Sequence, residues 1–131
     1  MKITVDTNVL ARAILQDDRE QCRIARKLLQ ETTLIAVPLP VLCELVWILR
    51  RGAGLAKEDV AAAIRALADT EKVAMDRPAV EAGLALLESG GDFANGVIAH
   101  EGKWLGGDTF VSFDRRAVAL LSGQGRSARV L

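Results

Sequence analysis

The sequence is poor in the side chains that build many familiar sites. Aromatic residues make up 4% of its 131 residues, and tyrosine is absent. Two cysteines, Cys22 and Cys43, lie far apart in helical apolar patterns, so each is predicted to be a buried free thiol. The single histidine, His100, cannot form a histidine cluster and is expected to be solvated or packed.

Long apolar runs and an excess of one charge are also missing. No run reaches the roughly 18 residues of a membrane span, and no basic segment followed by an apolar one marks a secretory signal. A protein without membrane contact, in the cytoplasm, is therefore expected. The 17 basic and 17 acidic residues cancel, which argues against a protein that coats DNA through its net charge.

Several catalytic motifs are absent as well. No GxxxxGK[ST] or GxGxxG follows a predicted strand, so neither common nucleotide-binding loop is present. A haloacid-dehalogenase phosphatase needs a second aspartate two residues after Asp6, where this chain has Asn8. Ser89 and Ser112 have no histidine partner pattern, which excludes a serine hydrolase triad.

Hydrophobic residues make up 50% of the chain and charged residues 26%, and no internal repeat is present. This composition and length predict one α/β domain over residues 1–131. Short β-rich runs alternate with amphipathic helical segments, which favours a three-layer α/β/α sandwich around a parallel sheet of four or five strands. Strands are predicted at 3–5, 34–37, 73–75, 109–113 and 128–131, and helices at 9–15, 18–31, 40–51, 57–69, 76–87, 92–103 and 117–121.

Two aspartates, Asp6 and Asp114, stand where predicted strands end. The carboxyl ends of parallel strands are where ligands and catalytic groups collect in such sheets. The alternative is that each aspartate only caps the following helix.

Glu44 is the only charge in the apolar run 39–49, so it is predicted to be largely buried. Burial requires a metal, a proton or a buried ion pair, for example with an arginine. Trp47 in the same run is predicted to lie in the core in preference to an interface.

Asp92 and Asn95 lie three residues apart and share the first turn of a predicted helix, so both could act at one site. The alternative is that Asp92 only caps this helix. Several carboxylates in one crevice repel one another unless a cation with a preference for oxygen ligands, Mg²⁺ or Mn²⁺, neutralises them.

The chain resembles a PIN domain in four segments that occur in the family's order. They are Val-Asp-Thr-Asn-Val-Leu, the Pro-x-x-x-Glu helix at Glu44, Gly-Asp-Phe-Ala-Asn-Gly-Val-Ile-Ala and Thr-Phe-Val-Ser-Phe-Asp-Arg. The resemblance is closest to VapC-type toxins of toxin–antitoxin pairs. It implies a Mg²⁺- or Mn²⁺-dependent endoribonuclease that acts on RNA, with a cognate antitoxin and a homodimeric state.

The resemblance assigns the acidic positions to Asp6, Glu44 and Asp114, with Asp92 retained near the third, and makes Thr7, Asn8 and Ser112 their polar neighbours. At the third position itself the family usually has aspartate and this chain has Asn95, which keeps an oxygen but loses a charge. Candidate RNA-contacting cations are Arg12, Arg50, Arg51, Lys103, Arg115 and Arg116.

Two other functions stay open. One is a PIN-like module that binds RNA or protein and cuts poorly because of Asn95. The other is a structural subunit, which would require arginine partners for both Glu44 and Asp6. The low aromatic content favours recognition of phosphate and shape over base stacking.

Overall fold

The computed structural model describes all 131 residues. The chain forms two compact units, Met1–Asp76 and Arg77–Leu131. The first contains β1 (Lys2–Thr4), α1 (Thr7–Leu15), α2 (Arg19–Glu31), β2 (Leu34–Ala36), α3 (Leu39–Trp47), a π-helical segment (Ile48–Gly52), α4 (Lys57–Ala68) and β3 (Val73–Ala74). The second contains α5 (Arg77–Glu88), α6 (Phe93–Trp104), β4 (Phe110–Ser112), α7 (Arg115–Gly123) and β5 (Ala128–Val130).

The first unit is built on a parallel sheet with the order β1-β2-β3, so β2 is the central strand. Thr4 pairs with Ala36, and Ala36 pairs with Ala74. The pairing extends just beyond the strands, where Val5 N donates to the Ala36 carbonyl at 3.2 Å. The three strands therefore end level with one another, and the residues that follow them share one edge of the sheet.

Helices of the first unit bury one apolar stripe each. Helix α1 packs against α2 and α3, and buries Leu10 and Ala11. Cys22 and Ala25 form the buried side of α2, which confirms the predicted burial of the Cys22 thiol. Cys43 is only partly buried, because it lies beside the buried stripe of α3 and not in it.

The second unit combines the parallel pair β4-β5 with three helices. Helices α5 and α6 pack closely, since neither Gly83 nor Gly96 carries a side chain at their contact. The backbone of Gly96 lies against the Ala82 carbonyl and the Gly83 Cα. This contact positions the first turn of α6, which carries Asp92 and Asn95.

The predicted α/β class and parallel strand pairing are confirmed, with every helix and strand present within a few residues. The predicted sheet of four or five strands is wrong. Five strands exist, but three pair in the first unit and two in the second. No helix is both long enough and apolar enough to cross a membrane.

Candidate active site

Asp6 lies at the carboxyl end of β1 and caps α1. Its Oδ1 accepts a hydrogen bond from the Val9 backbone N–H at 3.2 Å, so the capping interpretation is correct. The other carboxylate oxygen has no donor within the protein, and the side chain is exposed. Thr7 next to it is buried, whereas Asn8 is exposed. Asp6 is therefore held by its helix with one oxygen available for a ligand.

Glu44 lies on the exposed side of α3, and its predicted burial is wrong. The helix buries Leu42, Leu45 and Val46, which recur at the spacing of one helical face. Glu44 falls outside that face and makes no hydrogen bond or ion pair. A buried ion pair between Glu44 and an arginine is thereby excluded.

Asp6 and Glu44 belong to neighbouring elements at the same edge of the three-stranded sheet. Helix α1 begins after β1, α3 begins after the adjacent strand β2, and the two helices pack together. Glu44 is the sixth residue of α3, about 7 to 8 Å along the helix from its start. The first unit thus presents two carboxylates without a basic partner on the side where its strands end.

Asp114 occupies in the second unit the position that Asp6 occupies in the first. Its Oδ1 caps α7 by accepting from the Ala117 N–H at 3.0 Å. Its own backbone N–H donates to Ser112 Oγ at 2.9 Å, so Ser112 orients the turn as a polar neighbour. The second carboxylate oxygen of Asp114 has no donor within the protein.

Asp92 caps α6, and its Oδ1 accepts from the Ala94 N–H at 3.2 Å. The Asn95 N–H donates to the Asp92 carbonyl at 3.1 Å, so both residues belong to one helical turn as predicted. Asn95 is half-buried and its side-chain amide has no partner in the protein.

Arg116 connects the Asp92 loop to the helix of Asp114. Its guanidinium donates to the Gly90 carbonyl at 2.9 Å, two residues before Asp92. Gly91 lies so close to Leu120 that an added Cβ would approach its Cδ1 to 2.8 Å. The two capped helix starts of the second unit are therefore joined by a hydrogen bond and a packing contact.

The six candidate RNA-contacting cations divide into two groups. Three have partners within the protein: Arg12 binds Asp17 at 2.9 Å, Arg50 donates to the Leu55 carbonyl at 3.0 Å, and Arg116 donates to Gly90. The other three, Arg51, Lys103 and Arg115, are exposed and have no such partner. Only the second group therefore has positive charge that no group in the protein uses.

The donor atoms suit a hard divalent cation. The candidate ligands offer only carboxylate and amide oxygens, which Mg²⁺ and Mn²⁺ prefer. Within neither unit do three or more Asp, Glu, His or Cys side chains come together, but Mg²⁺ is often held by one or two carboxylates with waters and substrate phosphates. The Nε2 atom of His100 is buried without a hydrogen-bond partner, which agrees with the predicted packing role and not with solvation.

A comparison with protein families identifies the family of the whole chain. The model of the PIN domain matches residues 3–120, which is most of the chain. The protein belongs to the PIN domain family. PIN domains in general are metal-dependent nucleases, and divalent metals bind the kind of oxygen atoms that the candidate residues carry. No curated protein matches this PIN domain.

Asp76 was not predicted from the sequence as a candidate site residue, and Trp47 was predicted to lie in the core. Asp76 follows β3 at the same edge as Asp6, and its position after a predicted strand was the signal that could have identified it. Trp47 is 62% exposed, which contradicts its predicted place in the core. Glu44, three residues before Trp47, and Arg51, four residues after it, are the charges in the sequence that could have identified its side of the helix as the exposed one.

A surface depression in the first unit lies away from these residues. It has a volume of about 490 Å³ and is lined by Thr33, Thr70, Glu71 and Lys72. These residues precede β2 and β3, so the depression lies at the amino edge of the sheet, opposite to Asp6. It is not the candidate active site.

Proposed function

We propose that this PIN domain is an endoribonuclease that hydrolyses RNA phosphodiester bonds with Mg²⁺ or Mn²⁺. The observation that carries the proposal is the state of Glu44, an exposed carboxylate with no basic partner on the helix next to Asp6. A carboxylate that is not used for ion pairing is free to bind a cation.

The candidate oxygen ligands that we assign are Asp6 and Glu44 in the first unit and Asp92, Asn95 and Asp114 in the second. When bound, the cation supplies Lewis acidity and charge neutralisation to the phosphodiester. The protein contributes rigid carboxylates, because the Asp6, Asp92 and Asp114 side chains are each held by the helix they cap. Arg51, Lys103 and Arg115 are the cations available to bind RNA phosphates.

Loss of RNA cleavage with EDTA and recovery with Mn²⁺ is the first expected result. Asp6→Asn should then lower the cleavage rate at least about 100-fold, because the charge at a metal ligand is lost. Asparagine remains a good N-cap, so the variant should keep its fold. The matched control is Asp18→Asn, which alters the cap of α2 in the same way and should cleave normally. Cleavage that resists EDTA, or full activity in Asp6→Asn, would refute the mechanism.

Asn95→Asp tests the alternative function, a binding module with a weakened site. Asn95 is half-buried next to the Asp92 cap, and it lacks the charge that the family usually has there. If Asn95→Asp raises cleavage strongly while wild-type protein binds RNA and cuts poorly, the binding module is the better description. A cleavage rate that Asn95→Asp leaves unchanged would favour a nuclease that is complete without this charge.

The toxin role, a cognate antitoxin, a homodimer and a cytoplasmic location are further parts of the proposal. They are supported by the resemblance to VapC-type toxins and by apolar side chains on the surface of the second unit, Trp104, Leu105 and Phe113, of the kind that partner proteins cover. Growth arrest on expression, relieved by the product of a short neighbouring gene, is the expected result. Light scattering of the purified protein tests the dimer.

A further inference from the structure

Three of the five aromatic residues are on the surface. Trp47 is 62% exposed, Trp104 is 82% exposed and Phe113 is 79% exposed. Only Phe93 is fully buried. The low aromatic content favours recognition of phosphate and shape, but the few aromatic rings present are accessible to a ligand.

Trp47 has charged neighbours on its side of the helix. Glu44 is three residues before it, and Arg51 is four residues after it, which are the spacings that bring side chains together along one helix face. Arg51 belongs to the π-helical segment, whose wider turn still places residues four and five apart next to each other. The indole thus stands between a carboxylate and a guanidinium, and not in an apolar patch.

The local structure holds Trp47 and leaves Arg51 available. Leu45, Val46 and Leu49 anchor this part of the helix in the core. Arg50 is used to close the following loop, because it donates to the Leu55 carbonyl at 3.0 Å, while Arg51 has no partner. The segment therefore presents an exposed aromatic ring on an anchored helix and one unpaired cation.

We infer that Trp47 stacks on a base of single-stranded RNA and is a substrate-positioning residue, with Arg51 at an adjoining phosphate; this inference rests on the proposed nuclease function. An indole between charged groups suits a base joined to a phosphate better than it suits a flat apolar protein surface. The base must be unstacked to reach the ring, so single-stranded RNA should bind more tightly than duplex RNA. Stacking tolerates any base, so little sequence preference arises here.

Fluorescence tests the contact without any cleavage. Trp104→Phe leaves Trp47 as the only tryptophan, and a single-stranded oligoribonucleotide is titrated in EDTA so that no strand is cut. Saturable quenching of Trp47 is expected. The matched control is Trp47→Phe, in which Trp104 next to Lys103 gives the background fluorescence change on RNA binding, and the quenching of Trp47 must exceed this background.

Affinity provides the second measurement. Trp47→Leu should weaken binding of the single strand about tenfold, equivalent to about 1.4 kcal/mol, and should raise KM for RNA with little change in kcat. Trp47→Phe should recover part of the affinity, and Ile24→Ala, which shortens an exposed apolar side chain on α2, should match the wild type. Circular dichroism of Trp47→Leu should be unchanged, since the replaced ring is on the surface.

The outcomes separate this inference from the proposed function. If the wild type cuts RNA but Trp47→Leu changes neither affinity nor KM, the stacking inference is overturned and the nuclease stands. If no metal supports cleavage yet Trp47 is quenched saturably, the nuclease is overturned and Trp47 belongs to an RNA-binding module. If Trp47→Leu alters only the oligomeric state, the ring belongs to a protein interface and the inference is wrong.

Discussion

Replacing Gly96 by alanine should destabilise the protein by forcing α5 and α6 apart. A Cβ at Gly96 would overlap the Ala82 carbonyl oxygen and lie 2.8 Å from the Gly83 Cα. These are backbone atoms of α5, so no side-chain rotation relieves the overlap. Only a shift of one helix against the other makes room.

The size of the effect follows from two opposing terms. Overpacking costs about 1 to 3 kcal/mol, and the upper end applies because the obstructing atoms are backbone. Alanine gains up to about 1 kcal/mol over glycine in a helix. A net loss of about 2 kcal/mol is expected for Gly96→Ala, or a fall in Tm of roughly 6 to 10 °C for a chain of this size.

Gly102→Ala is the matched control on the same helix. A Cβ at Gly102 meets nothing within 4 Å, so only the helix-propensity gain remains. We expect Gly102→Ala to raise the free energy of unfolding by about 0.5 to 1 kcal/mol. The opposite signs of the two identical substitutions distinguish a packing effect from a general intolerance of α6 to change.

Urea denaturation followed by circular dichroism measures both variants. Because Asn95 directly precedes Gly96, the cleavage rate of folded Gly96→Ala should also fall. If Gly96→Ala were as stable as Gly102→Ala, the close approach of α5 and α6 would be refuted, and with it the account of how the Asp92 turn is positioned.

Three further predictions concern capping, tethering and pH. Asp114→Ala should cost about 1 kcal/mol in chemical denaturation, whereas Asp114→Asn should keep stability and lose cleavage, and equal stability losses would contradict the capping role. Arg116→Ala removes the bond to the Gly90 carbonyl and should lower stability by about 0.5 to 1 kcal/mol while RNA affinity stays unchanged; a large loss of affinity would instead make Arg116 a phosphate contact. A hydrogen bond from Arg23, together with its charge, holds the pKa of Glu20 below its ordinary value of 4.5, so this pair stabilises the fold above that pH and the effect is lost as pH falls through the lowered pKa. Tm measured against pH should show a small advantage of the wild type over Glu20→Gln near neutrality that vanishes in acid, and an advantage that grows in acid would reverse the assignment.

Local signals accounted for the element boundaries and for part of the site. The helix predicted over residues 18–31 begins at Asp18, which caps α2 with its Oδ1 accepting from Gln21 N at 3.0 Å. Asp6, Asp92 and Asp114 were likewise recognised as possible caps, and all three cap helices. Such predictions succeed because a cap depends on a few consecutive residues and their backbone, which the sequence contains in full.

Exposure within α3 was not predictable in the same way. Residues 39–49 are apolar on every side, so the sequence indicates a helix but not which face packs inward. Packing against α1 and the core buried Leu42, Leu45 and Leu49, and this choice left Glu44 and Trp47 on the surface. Their roles in the two proposals depend on that exposure.

The sequence by itself therefore determined the helices, the strands, their parallel order and the identities of the candidate acids, since these follow from local periodicity and capping. Only the tertiary structure decided that the strands pair as three and two, that Arg50 and Arg116 are tied to backbone carbonyls, and that Glu44 has no basic partner. These features depend on contacts between residues distant in the chain or on which face of a helix is buried. Neither is encoded in the spacing of neighbouring residues.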